Sequence, residues 1–228
     1  MALKILFWDI DGTLIRTGKA GLFAFEQATA EIWSATIDFS RIKTAGMTDY
    51  SIAAEIIAAV SGRPAQPEEV AALSGRYEQL LDEHLSRREG LVLPFISEIL
   101  EAVQHSPEYT SLLLTGNSRA GAELKMRRYQ LSHYFDFDRS AFCDRHHLRD
   151  EVAALALRKI ESLPAAAAAF VIGDTPNDIR CGKAIGAYTI GVATGGYSLP
   201  ELEACSPWWA VKELPPPAAF FAKLETVG

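Results

Sequence analysis

The sequence predicts an α/β protein, a doubly wound parallel sheet with an all-helical domain inserted after its first strand. Three observations predict it. Short apolar runs without helical spacing recur at residues 3–8, 110–114, 168–172 and 188–192, each closed by acids, a glycine or a small polar residue, as strands buried on both faces are. Helical stretches at residues 118–129, 152–160 and 178–185 separate the later runs, an alternation that argues for parallel strands with helices on both faces. Residues 16–90 carry helical spacing and no strand pattern at all.

In chain order, residues 3–8 form the first strand, and it ends in Asp9-Ile10-Asp11-Gly12-Thr13. Residues two apart on an extended chain point the same way, so both carboxylates face one site, and Gly12 lets the chain turn sharply with its amides exposed. Two acids held together resist joint ionisation unless a cation intervenes or one keeps a proton, a division suited to one nucleophile and one general acid. An Asp-Gly turn is also common without function. The insert follows, with apolar residues at helical spacing: Leu22, Phe25, Ile32 and Trp33; Ile52, Ile56 and Val60; Leu73, Tyr77, Leu80, His84 and Leu85. These give three or more amphipathic helices. Gly46 and Gly62-Arg63-Pro64 punctuate them, and Thr48 and Ser51 stand where an N-cap starts the second. Such an insert sits over the carboxyl ends of the strands, where open α/β sheets bind ligands, and acts as a lid. The chain returns through residues 91–94, with Pro94 preset for the first turn of a helix over 95–103.

The second strand ends Leu114-Thr115-Gly116-Asn117-Ser118 and opens a helix. A hydroxyl and free amides at a helix start suit phosphate oxygens, although Ser118 is equally a plain N-cap. Residues 137–143 add a weakly marked strand. The later acidic strand ends Gly173-Asp174-Thr175-Pro176-Asn177-Asp178. If it neighbours the first, the acids cluster, and hard oxygen ligands suit Mg²⁺ far better than zinc. Asp174 reads as a metal ligand, whereas Asp178 either supports the site or begins the next helix. Trp208 and Trp209 flank a final edge strand running to Val211.

Composition bounds the partners. The chain has 228 residues, 49% of them hydrophobic, and a formal net charge of -7. That is enough apolar material for a core and a satellite domain. A negative field with no basic block disfavours nucleic acid. Cys143, Cys181 and Cys205 make no disulfide framework. No segment has the apolar length of a signal peptide or a membrane span. The expectation is a cytoplasmic protein acting on a small molecule, with no membrane or nucleic-acid partner; the sequence leaves its oligomeric state open.

The three strand ends, in this order and with a helical insert after the first, resemble the haloacid dehalogenase superfamily, in particular its phosphoglycolate phosphatase-like branch with a helical cap. Asp9 to Thr13 match its Asp-x-Asp-Gly-Thr motif, Thr115 its strand-ending threonine, and Gly173, Asp174 and Asp178 its Gly-Asp-x-x-x-Asp motif. Together and in order on the expected strands, these matches are strong. The resemblance implies a Rossmann-like catalytic core of residues 1–15 and 91–228 and a helical cap of residues 16–90. It implies a Mg²⁺-dependent phosphatase acting on a small phosphorylated metabolite, whether phosphoglycolate-like, a sugar phosphate or a nucleotide. Asp9 attacks phosphorus to form an aspartyl phosphate, and Asp11 serves as acid and then base. Asp9, Asp174, Asp178 and Asp11, the last through its carbonyl, surround the metal, while Gly12, Thr115, Gly116 and Asn117 hold phosphate oxygens. The family's third motif, a lysine often followed by proline, is missing. Arg149 stands in its place and takes the phosphate-binding and catalytic role, with Arg145 and Lys159 as rivals, although arginine does not simply replace lysine. The adjacent His146 and His147 read as surface residues.

Asp11 separates ester hydrolysis from dehalogenation of 2-haloacids and cleavage of phosphonoacetaldehyde, whose family patterns lack it. A sugar phosphomutase keeps both aspartates and stays open, as does a phosphate-sensing scaffold without turnover. Substrate choice falls to residues facing the site from the insert: Arg16, Thr17 and Lys19, and the loop over 44–49 with Thr48 and Asp49. Arg16 or Lys19 either meets a second anionic group or is simply solvated.

Overall fold

The computed structural model describes residues 3–144, 148–161 and 166–227. Arg145, His146 and His147 lie outside them. In chain order the elements are β1 (Leu3–Trp8), β2 (Ile15–Arg16), α1 (Ala20–Trp33), α2 (Asp49–Ser61), α3 (Pro67–Arg87), β3 (Leu91–Val92), α4 (Ile96–Gln104), β4 (Tyr109–Leu113) and α5 (Arg119–Arg128), followed by α6 (Arg149–Ile160), β5 (Ala166–Gly173), α7 (Pro176–Ala184), β6 (Tyr188–Val192), α8 (Leu199–Ala204), β7 (Trp209–Val211) and α9 (Pro217–Leu224).

The parallel sheet runs β4-β1-β5-β6-β7, so β1 lies between the two strands whose ends carry the other motifs. It is buried on both faces. Leu6 and Trp8 join one apolar cluster with Leu113, Phe170 and Ile172, while Ile5 and Phe7 join another with Leu112, Val171 and Val152. This alternation explains why β1 reads as one continuous apolar run. Asp9 leaves the sheet still pinned, its amide donating to Ile172 O at 3.0 Å. The final strand, β7, is an edge as expected.

Helices α1, α2 and α3 pack around an apolar cluster of their own, centred on Phe25, Ile56, Leu73 and Tyr77. The rings of Phe25 and Tyr77 stack at 3.9 Å between centroids. The chain enters and leaves this unit through a two-stranded antiparallel ribbon, Ile15 opposite Val92 and Arg16 opposite Leu91.

Several elements differ from the sequence reading. Ile32 is 40% exposed and does not join the inward stripe of α1. Pro94 does not sit in the first turn of α4. Phe95 is its N-cap with φ 61° and ψ 0°, and Ile96 N donates to Leu93 O at 3.3 Å, so Pro94 holds the second position of a type II turn. Residues 137–143 form no strand beyond a single bridge between Leu114 and Ala141. Asp136 there accepts from the amides of Asp138 and Arg139, which takes those donors out of any ladder. Helix α6 starts at Arg149, three residues before the apolar pattern begins, because Glu151 reaches back to accept from Leu148 N at 3.2 Å.

Candidate active site

The ends of β1, β4 and β5 open on a cavity of about 490 Å³, walled on the far side by α1, α2, α3 and the loop before α2. Asp9, Asp11, Gly12, Gly116, Asn117, Arg149 and Asp174 line it.

Asp9, Asp174 and Asp178 are buried, and each offers an oxygen within 4.8 Å of the others. Burial, then the charge of Asp9, pushes Asp174 up to about 7, as expected where carboxylates crowd away from water. Thr13 Oγ1 donates to Asp174 Oδ1 at 3.2 Å. Gly12, at φ +84°, brings the β1 turn so close to Asp174 that a side chain there would collide with the carboxylate. Three hard oxygen donors at one strand-end crevice fit a divalent cation of the magnesium type. The carboxylate of Asp11 is not in this group.

Arg149 closes the group from the start of α6. Its side chain is 3% exposed. Both terminal nitrogens donate to Asp9 Oδ1 at 3.1 Å, and Nη2 also donates to Asp178 Oδ1. Burial opposes the charge, yet Asp9 above all outweighs it and raises the guanidinium's pKa. Asp178 also caps the next helix, its Oδ2 accepting from Thr175 N and Oγ1 in a capping box on α7. Lys159 lies away from the site, donating to Ser140 O at 2.7 Å.

Asp11 turns the other way. Its Oδ2 accepts from Lys125 Nζ at 2.5 Å and from Asn117 Nδ2 at 3.0 Å, and Asn117 Oδ1 accepts from Lys125. Lys125 is buried on α5. Burial disfavours its charge, but Asp11 and then Asp49 more than compensate, so its pKa lies above the usual lysine value. The sequence reading missed this lysine. The signal was there: Lys125 stands beside Ala122 and Met126 on the inward stripe of α5, where a charge needs a partner.

Some expected phosphate donors are engaged within the protein. Gly12 N donates to Ile15 O at 2.8 Å because the turn closes on itself. Thr115 is fully buried and lies behind the cavity wall, its Oγ1 accepting from Asn117 N at 3.3 Å and Nδ2 at 2.9 Å. The Ser118 amide donates to Asp49 Oδ2 at 2.9 Å, so the N-terminus of α5 already meets a carboxylate from the helical insert. Burial pushes Asp49 up to about 6. Asp49 N in turn donates to Gly116 O at 2.7 Å. A side chain on Gly116 would strike Met47 O, so glycine is what lets the insert loop approach this closely.

Among the expected specificity residues, Thr17, Lys19 and Asp49 line the cavity. Arg16 lines it too, but Nε and Nη2 are committed to Thr194 O at 3.1 and 2.7 Å. Thr48 does not line it: it is buried and caps α2, its Oγ1 accepting from Ser51 N at 3.1 Å. That hydroxyl completes the first helical turn instead of meeting a ligand.

A model of the haloacid dehalogenase-like hydrolases matches residues 6–183. The chain belongs to this family. It is 28% identical over 206 residues to "Probable phosphatase IndB" of Dickeya dadantii (strain 3937), covering 89% of this chain and 86% of that one. In fold it is similar to a hydrolase from Pseudomonas syringae, with a TM-score of 0.72 at 19% identity over 99% of both chains. It is similar as well to CbbY from Rhodobacter sphaeroides, solved in complex with phosphate, with a TM-score of 0.70 at 20% identity over 93% of this chain and 95% of that one. This hydrolase has no helix among its described residues long and apolar enough to cross a membrane.

Proposed function

We propose that this hydrolase is a magnesium-dependent phosphatase that cleaves a small organic phosphomonoester through an aspartyl phosphate on Asp9. The observation that carries the reading is the division of charge at one strand end. Asp9 faces a cation-binding set of carboxylates and a guanidinium, while Asp11, two residues on, faces the same cavity outside that set.

Asp9, Asp174 and Asp178 would hold the metal with help from the Asp11 carbonyl, and when bound it neutralises the approach of an anionic ester to an anionic nucleophile. Arg149 presents a fixed fork of donors beside Asp9, suited to the equatorial oxygens where charge accumulates. Gly116 and Asn117 bound the same pocket, and Thr115 orders Asn117 from behind. In the first half-reaction a bond forms between Asp9 and phosphorus as the ester P–O bond breaks, and Asp11 gives its proton to the leaving oxygen. In the second, ionised Asp11 takes a proton from water as the water oxygen bonds to phosphorus and the Asp9–phosphorus bond breaks.

Residues 16–90 act as the cap, joined to the core by the ribbon of β2 and β3. Leu22, Phe25, Met47, Ile52 and Tyr77 face the cavity from that side, which supports a leaving group with a hydrocarbon or ring face. The test is release of inorganic phosphate from a panel of phosphomonoesters with Mg²⁺ and with EDTA. Wild type should be active only with the metal, and Asp9→Asn should be inactive. Normal turnover by Asp9→Asn would sink the scheme, and transfer of the phosphoryl group to a second sugar site without release of phosphate would make the protein a mutase.

A further inference from the structure

We infer that Lys125 is a positioning residue for the acid–base step, holding the carboxyl group of Asp11 through one oxygen so that the other is presented to the cavity. The inference rests on the proposed role of Asp11.

The side chain of Asp11 is 42% exposed. Left to itself, a half-exposed aspartate just before a tight turn samples several rotamers, and an acid that must meet a leaving oxygen loses rate with each misplaced one. Two donors prevent this. Lys125 Nζ and Asn117 Nδ2 both bind Asp11 Oδ2, at 2.5 and 3.0 Å, which fixes the carboxyl plane and leaves Oδ1 for the proton. Asn117 has only one workable amide orientation. Its oxygen faces the ammonium, while its nitrogen faces a carboxylate and the Thr115 hydroxyl, so a flipped amide would set donor against donor. Thr115 anchors Asn117 from behind, and Asp49 of the helical insert adds negative charge that favours the ammonium.

This arrangement differs from a phosphate-binding lysine. The oxygens that Lys125 contacts belong to Asp11 and Asn117, whereas the cation on Asp9 is Arg149. Of the two, only Asp11 exchanges a proton in the half-reactions.

The experiment compares wild type and Lys125→Met, with Mg²⁺, on a primary-alcohol phosphomonoester and on p-nitrophenyl phosphate, whose leaving group needs no acid. Release of the leaving group in the first turnover and inhibition by inorganic phosphate are both measured. First-turnover release from the alkyl ester should fall about 100-fold. Release of p-nitrophenolate should fall less than about tenfold, and phosphate inhibition should stay within about threefold. Equal losses on both substrates with weakened phosphate inhibition would make Lys125 a ligand of the phosphoryl group and overturn the inference. So would unchanged rates on both. Lys125→Gln, read by the same assays, serves if the methionine variant does not fold. An inactive wild type would refute the phosphatase reading itself; an active wild type with an unaffected variant refutes the positioning role alone.

Discussion

Arg149 and Lys125 are both buried cations set against aspartates of one strand end, yet they belong to differently built halves of the site. Arg149 meets Asp9 and Asp178, carboxylates with side-chain exposures of 10% and 2%, and all three come from core elements. Lys125 meets a half-exposed Asp11, and its surroundings are completed by Asp49 from the helical insert. The first half is a closed charge cluster whose charged side chains all come from core elements. The second is finished only when α2 docks on the start of α5. Removing a cation from the closed half strands buried charge, while the open half can rehydrate its aspartate.

The largest effect expected is catalytic and confined to the open half. Asp11→Asn should lower kcat on alkyl esters by about 10²–10⁴-fold while metal and phosphate still bind, as titration calorimetry would show. Loss of metal binding in that variant would mean that the halves are not separable.

Arg149→Met tests the closed half. In EDTA it should cost about 3–5 kcal/mol in urea unfolding, because Asp9 and Asp178 lose their partner, and Mg²⁺ should return part of that. A cost under about 1 kcal/mol would place the pair among weak surface-like bridges.

Asp49→Asn tests the junction. An acid whose folded pKa is raised binds more protons folded than unfolded, so stability falls as pH rises between the two values. For Asp49 these are 3.8 and about 6. The ionised group therefore costs about 3 kcal/mol above pH 6. Asparagine can still accept from Ser118 N, so the variant should be more stable at pH 7 and should lose the decline between about pH 4 and 6. Thermal unfolding across that range decides it; an unchanged slope would assign the pH dependence to other groups.

The smallest effect belongs to the insert alone. Thr48→Ala removes the α2 cap and should cost about 1 kcal/mol, with substrate preference unchanged across the ester panel. A shift in preference would return Thr48 to the substrate side.

The α/β order, the buried character of β1, and the clustering of Asp9, Asp174 and Asp178 were legible because each depends on local pattern. Apolar runs, turn residues and acids at strand ends act over a few neighbours, and a parallel sheet with β1 between β4 and β5 brings those ends together. The place of Arg149 came from the family resemblance, which puts a cation near the start of the helix before the acidic strand. Three matters were decided only in three dimensions: the attachment of Lys125 to Asp11, the role of Asn117 between them, and the capture of the Ser118 amide by Asp49. Lys125 and Asp11 lie 114 residues apart, and Asp49 and Ser118 lie 69 apart. No local pattern says which buried charge will answer which, because that depends on where the helical insert comes to rest on the core.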